Sequence, residues 1–155
     1  MHHALLSAVL SVSILLSDLV PTHAASYTFT TVDVPGATAT YAYGINAAGE
    51  IVGTFYLGQG HGFLKDGATF STLDVPGALY TYAYGINNKG QIVGTFYDAM
   101  GHSHGFVTDG STFTTFDVPG RTGTTAYGIN NKGRIVGTFD DATGTHGFVA
   151  TPTKK

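Results

Sequence analysis

The sequence predicts an all-β chain of tandem four-stranded antiparallel units, arranged like propeller blades. Three observations carry this reading. The first is repetition: Asp33-Val34-Pro35-Gly36 returns at residues 74–77 and 117–120, and Tyr43-Gly44-Ile45-Asn46 returns at 84–87 and 127–130, at spacings of 41 and 43 residues. Ile51-Val52-Gly53-Thr54-Phe55 and His61-Gly62-Phe63 also recur, in the same order. Self-similarity at about 40–50 residues marks repeat architectures, propeller blades among them. The second is the lack of any 3.6-residue apolar period over ten residues beyond position 25, which excludes helices from that region. The third is composition. The chain of 155 residues holds 22 Gly and only 11% charged residues, against averages of about 7% and 25%. Frequent turns and sheets whose faces stack on one another account for both departures.

Residues 1–25 read as a secretory signal. Positions 4–16 form an apolar run, ALLSAVLSVSILL, too short for the about 20 residues of a membrane-spanning helix and matched to a signal-peptide core. Small residues at Ala24 and Ala25 suit cleavage. Residues 26–155 then form one three-repeat domain, with units at about 27–67, 68–110 and 111–151. The chain has no Cys, so disulfides contribute nothing to its stability and packing supplies all of it.

The second unit shows how each element arises. Residues 83–86 are a short apolar run. Asn87-Asn88-Lys89-Gly90 is a turn, with Gly at a left-handed position. Residues 91–97 are β-branched and aromatic, hence a strand. Residues 98–103 are a polar loop, and 104–108 a third strand. Asp109-Gly110 signals a hairpin turn, and 112–118 is a fourth strand. Pro119-Gly120 ends it as a type II turn would, with Pro presetting the first central position and Gly tolerating the second. Gly53, Gly94 and Gly137 interrupt strands, where close approach of a neighbouring backbone or ring is the expected reason. Asn46, Asn87 and Asn130 open turns and are expected to bond local backbone groups. Asp33, Asp74 and Asp117 are expected to accept turn N–H bonds.

The order of strands has a consequence. Residues 27–34 read as a fourth strand at the start, and 146–150 as a third strand at the end. One strand is left over to complete the last blade. Three blades fall short of the usual four to eight, so a head-to-tail homodimer of six blades is expected. The alternative architecture is a β-trefoil, which also has three four-stranded units but closes as a monomer. The chain lacks Trp and with it the Gln-x-Trp motif of trefoil lectins.

The run Gly-Ile-Asn, then Gly-x-Ile-Val-Gly-x-Phe, then His-Gly-Phe resembles the HAF-repeat family of extracellular bacterial proteins. The resemblance covers residues 27–150 three times over, with Gly62, Gly105 and Gly147 where the family's triplet has Ala. It implies a secreted protein, extracellular or periplasmic, with a propeller-like fold. It implies no particular activity and no catalytic residues.

The chemistry-bearing residues narrow the function classes. Seven Lys and Arg, with a net charge of −3, are too few and scattered for a phosphate-binding stripe, so no nucleic-acid partner is expected. The acids that break the repeat, Glu50, Asp98, Asp140 and Asp141, sit mostly in predicted turns. No nucleophile-elbow, zincin or phosphate-loop motif is present. No enzyme activity and no cofactor are expected. His61, His104 and His146 occupy equivalent positions. Three imidazoles around an axis would suit a metal, but hydrogen bonds anchoring a neighbouring loop explain them more simply, so no metal is expected. His102 makes a local His-x-His with His104, on one face of a strand if extended. Carbohydrate or surface-polymer binding is the function expected, because equivalent weak sites on one rigid body gain avidity on a polymer. Tyr41, Tyr80 and Tyr82 are its expected rim, together with His61, His104 and His146; Tyr43, Tyr84 and Tyr127 offer further ring faces on one reading and are blade core on the other. The alternative is a structural or adhesive protein that self-assembles without a small ligand.

Overall fold

The computed structural model describes residues 26–153; the predicted signal segment, residues 1–25, lies outside them. Among the described residues there is no helix, and so none long and apolar enough to cross a membrane. Residues 26–30 belong to a separate unit from 31 onward; they carry no regular structure, and Tyr27 and Phe29 are exposed.

Eleven strands form three separate antiparallel sheets. Blade 1 is β1 (Ala39–Ile45), β2 (Ile51–Leu57), β3 (Gln59–Asp66) and β4 (Thr69–Leu73). Blade 2 is β5 (Tyr80–Ile86), β6 (Ile92–Tyr97), β7 (Ser103–Thr108) and β8 (Phe113–Phe116). Blade 3 has three strands, β9 (Thr122–Ile129), β10 (Ile135–Asp141) and β11 (Gly144–Ala150). Each blade is an up-and-down meander with strands in chain order. The sheets stay open, where a trefoil would join strands of all three units into one closed barrel.

Blade packs on blade through one repeated set of side chains. Val52, Leu73 and Val75 of blade 1 form a buried cluster with Ala83 and Ile86 of blade 2. Val93 of blade 2 does the same with Ala126 and Ile135 of blade 3. Burial of a Val or Leu side chain is worth about 1.5–3 kcal/mol, so each joint is held chiefly by this apolar contact. The sheet interior is tight. A Cβ on Gly94 would run into the Tyr82 carbonyl oxygen and come within 2.8 Å of the Phe106 ring; Gly53 meets the Tyr41 carbonyl and Phe63 in the same way, and Gly137 the Thr125 carbonyl and Phe148. Close approach of backbone and ring is thus the reason for these strand glycines.

The turns follow the residues that encode them. In each Val-Pro-Gly turn the amide after Gly donates to the Val carbonyl at 3.1 Å, and Gly36, Gly77 and Gly120 take positive φ of 82°, 81° and 70°. That is the geometry a type II turn requires. Asn46, Asn87 and Asn130 each accept two amides of their own turn through Oδ1. They also do something the turn reading did not anticipate. Asn46 Nδ2 donates to the Asn87 carbonyl at 3.2 Å, and Asn87 Nδ2 to the Asn130 carbonyl at 3.0 Å. A second rung runs beside each: Ala47 N donates to Asn88 Oδ1 and Asn88 N to Asn131 Oδ1, both at 2.9 Å. The turn residue staples one blade to the next.

Several expectations need correction. Residues 27–34 carry no strand, although their sequence reads as one; a strand exists only where a neighbour takes its backbone hydrogen bonds. The first strand of each unit is longer than its apolar run, because Tyr80, Thr81 and Tyr82 pair with Tyr97, Phe96 and Thr95. The carboxylates of Asp74 and Asp117 do not turn back onto the Val-Pro-Gly amides. They reach His61 and His104, while Val75 N and Val118 N donate to Thr81 and Thr124 hydroxyls.

Candidate functional site

The site begins with a fault in three strands. In β1 the pairing with β2 skips from Ala42 to Gly44, and in β5 the pairing with β6 skips from Ala83 to Gly85. The β9–β10 register shifts at the matching place, between Ala126 and Gly128. The extra residues are Tyr43, Tyr84 and Tyr127. A bulge of this kind re-aims the side chain it frees. Here it sets three equivalent tyrosines in a row across the first strands of the blades. Tyr84 lies 5.2 Å from Tyr43 and 5.4 Å from Tyr127, ring centre to ring centre.

Other rings widen the row over blades 1 and 2. Tyr41 stacks on Tyr43 at 6.3 Å, and Tyr80 on Tyr82 at 6.4 Å. Tyr56 meets Tyr41 edge-on, and Tyr97 meets both Tyr80 and Tyr82 edge-on. Tyr43 and Tyr127 are each about half exposed, at 52% and 51%. Of the two readings of the Tyr84-type residues, ring faces or blade core, the exposure of Tyr43 and Tyr127 favours the first, and Tyr84 is half-buried because its two equivalents flank it. Burial, followed by neighbouring phenols, pushes the Tyr84 hydroxyl up to about 12 and raises that of Tyr43 as well. Tyr82 is raised by burial and by its hydrogen bond to Tyr56. The phenols of Tyr43, Tyr82 and Tyr84 therefore stay neutral donors at ordinary pH. On blade 3 the array thins, with Gly123, Thr125 and Asp140 standing where blade 2 has Tyr80, Tyr82 and Tyr97.

Two equivalent clefts open at the blade joints. The first, about 200 Å³, is lined by His61, Asp74, the Pro76-Gly77 turn and Tyr80, among others. The second, about 180 Å³, is lined by His102, Ser103, His104, Asp117, Arg121 and Thr122 with Gly123. The imidazole in each is fixed twice. His61 Nδ1 meets Asp74 Oδ2 at 2.9 Å, and its ring stacks on Phe55 at 5.1 Å. His104 Nδ1 meets Asp117 Oδ2 at 2.8 Å, and its ring stacks on Phe96 at 5.1 Å. The Asp117 hydrogen bond, opposed by partial burial, raises the His104 pKa. The carboxylate of Asp98 lies 3.4 Å from both His102 and His104; backbone amides, that of His102 first, hold it down to about 2. His102 lies just outside β7, so the His-x-His pair meets through Asp98 and not along one strand face. Among the described residues no group of three or more His, Asp or Glu is placed to hold a metal ion.

The residues singled out from the sequence are thus partly gathered. His61 and Tyr80 line one cleft, and Tyr82 stacks on Tyr80 while its ring blocks any Cβ on Gly60 of the same cleft. His104 lines the other. Tyr41 belongs to the tyrosine array on blade 1, away from both clefts. His146 stands apart: its ring stacks on Phe139 at 5.3 Å, and Nε2 meets Thr143 and Asp141. Sequence reading missed Tyr56 and Tyr97. The recurring Phe-Tyr at 55–56 and 96–97 was the available signal, since it places a ring opposite the first strand in both units. No protein-family model, curated protein or solved structure matches the chain.

Proposed function

We propose that the chain is a secreted, non-enzymatic repeat protein of the HAF-repeat type that binds carbohydrate or a surface polymer. The observation that supports this best is the pair of equivalent clefts, the first of them edged by the tyrosine array. Each cleft is smaller than the about 300–1,000 Å³ of a drug-sized pocket, a size suited to one unit of a longer chain. Each offers a carboxylate acceptor and an imidazole locked in place by it. Tyr80 adds a ring face and a phenol donor at the first cleft, the usual combination for a ligand with apolar faces and hydroxyl edges. The second cleft carries Arg121 instead, whose guanidinium pairs with Asp141 at 3.3 Å. Two weak sites on one rigid body gain affinity only for a ligand that spans both.

A glycan array probed with the purified protein tests this. Polymers should bind and their single-unit fragments should not. Tyr80→Ala and Tyr82→Ala variants should lose tenfold or more in apparent affinity. An array without a single binder, or variants that bind as well as the parent, removes the reading. The competing reading, an adhesive protein that assembles without any small ligand, draws on the uncovered ends of the blade row; concentration-dependent polymers in light scattering together with a blank array would favour it.

A further inference from the structure

Every recurring feature of the chain is complete at the first two blades and incomplete at the third. In blades 1 and 2 a fourth strand pairs with the third, Gly62 opposite Leu73 and Gly105 opposite Phe116. A Cβ on Gly62 would lie 2.6 Å from the Leu73 carbonyl oxygen, and one on Gly105 3.0 Å from that of Phe116. These glycines exist to let the fourth strand in. Gly147 holds the same position on β11, yet nothing but its own sheet comes as near as 3.9 Å. His61 and His104 each meet an Asp from the end of the fourth strand. His146 Nδ1 has no such carboxylate among the described residues. β11 has no outer neighbour there either.

The missing strand is present in the sequence. Thr28-Phe29-Thr30-Thr31-Val32-Asp33-Val34-Pro35-Gly36 matches Thr69 to Gly77 and Thr112 to Gly120 position by position. In those two copies the fourth strand of a blade feeds through Val-Pro-Gly into the first strand of the following blade, which packs on it. Residues 28–34 must accordingly complete the blade that precedes blade 1. Blade 3 of the same chain is not that blade. Val52 and Val93 are fully buried by the next blade, but Val136 is 48% exposed. Ile86 is 8% exposed beneath the preceding blade, but Ile45 is 67% exposed. Both ends of the row are bare, and they are the two halves of one joint.

We infer that residues 28–34 of one copy form the fourth strand on β11 of a second copy, and that two copies joined this way at both ends close a six-bladed ring. The register follows from the intact blades: Val32 opposite Gly147, Thr31 opposite Phe148, Thr30 opposite Val149 and Phe29 opposite Ala150. Asp33 then meets His146, and Phe29, 90% exposed in one copy, packs on Phe148 as Phe70 packs on Phe63 at 5.7 Å and Phe113 on Phe106 at 5.5 Å. Val136 enters a cluster with Ala42 and Ile45 of the second copy, and Asn130 Nδ2 finds the Asn46 carbonyl. The inference does not depend on any ligand.

The absence of Cys makes the test clean. A Thr30→Cys chain mixed with a Val149→Cys chain and mildly oxidised should cross-link to twice the chain mass, far faster than either variant alone. A Thr30→Cys/Val149→Cys double variant that oxidises without a mass change would place the strand on its own chain and overturn the inference. Native mass spectrometry of the parent protein should give two copies; a monomer, or polymers that lengthen with concentration, would overturn the closed ring. Asp33→Ala, a change at an exposed turn residue, should weaken self-association about tenfold through loss of the His146 contact, and an unchanged dissociation constant would overturn the register.

Discussion

Replacing Asn87 by Ala should cost far more than its place in a turn implies. The side chain is 3% exposed and makes four hydrogen bonds. Oδ1 accepts Lys89 N at 2.9 Å and Gln91 N at 3.0 Å; Nδ2 donates to Gln91 Oε1 at 2.8 Å and to the Asn130 carbonyl at 3.0 Å. At about 1 kcal/mol net for each, the sum is about 4 kcal/mol. Lys89 is exposed, so water will re-satisfy its amide, and the expected loss falls to about 2–4 kcal/mol. The neighbouring Asn88 supplies the contrast. It is exposed and its side chain takes one bond, from Ala47 N, so Asn88→Ala should cost under about 1 kcal/mol. Urea unfolding followed by circular dichroism measures both, with the slope against denaturant checked for constancy. Equal losses in the two variants, or a loss below about 1 kcal/mol for Asn87→Ala, would refute the idea that the buried amide's four bonds, three within its turn and one to the next blade, all contribute.

Two further outcomes follow from the packing and from the paired imidazole. Gly94→Ala drives a methyl group against the Tyr82 carbonyl and the Phe106 ring, and should lower stability by about 1–3 kcal/mol or more, whereas an unchanged urea midpoint would mean that the strand gives way freely. Because Asp117 raises the His104 pKa above its ordinary value of 6.5, its stabilising effect is fully present below that value and is lost as pH rises through the higher folded value. The parent should therefore lose stability as pH rises above 6.5 by more than Asp117→Asn does; parallel curves for the two would sink the assignment.

The repeat made much of the fold legible, since a motif seen three times cancels the accidents of any one copy. Val-Pro-Gly turns, strand glycines and the four-strand unit were all written in residue types with few other uses. The bulges were not. Tyr84 sits in an alternating run, Tyr80 to Tyr84, that reads as regular strand, and the slip between Ala83 and Gly85 depends on how β6 docks. Alternation alone puts Tyr84 on the face of Tyr80 and Tyr82 and leaves open whether a neighbouring blade covers it. The partners of Asp74 and Asp117 were hidden for a similar reason. His61 and Asp74 are thirteen residues apart, joined only once a hairpin brings two strands level, and no local pattern announces that. The error over residues 27–34 is of another kind. Their sequence matches those of β4 and β8, and among the described residues no neighbouring strand takes their backbone hydrogen bonds.

The staple at Asn46 and Asn87 also governs how firmly such an assembly holds. Each joint contacts only its neighbours, so stability adds joint by joint, as in other repeat proteins. One chain of three blades contains two joints. When two chains meet at both ends, the first new contact fixes the second pair of ends at high effective concentration, and the second joint forms without a further loss of translational freedom. Dissociation then demands that both open together, since either one alone reseals before its partner lets go. One of the two rungs is missing there, because Ala47 stands where the other copies have Asn. In the ring we infer, the seam between chains would therefore be weaker than the seams within them, and it is where the ring would part first under load.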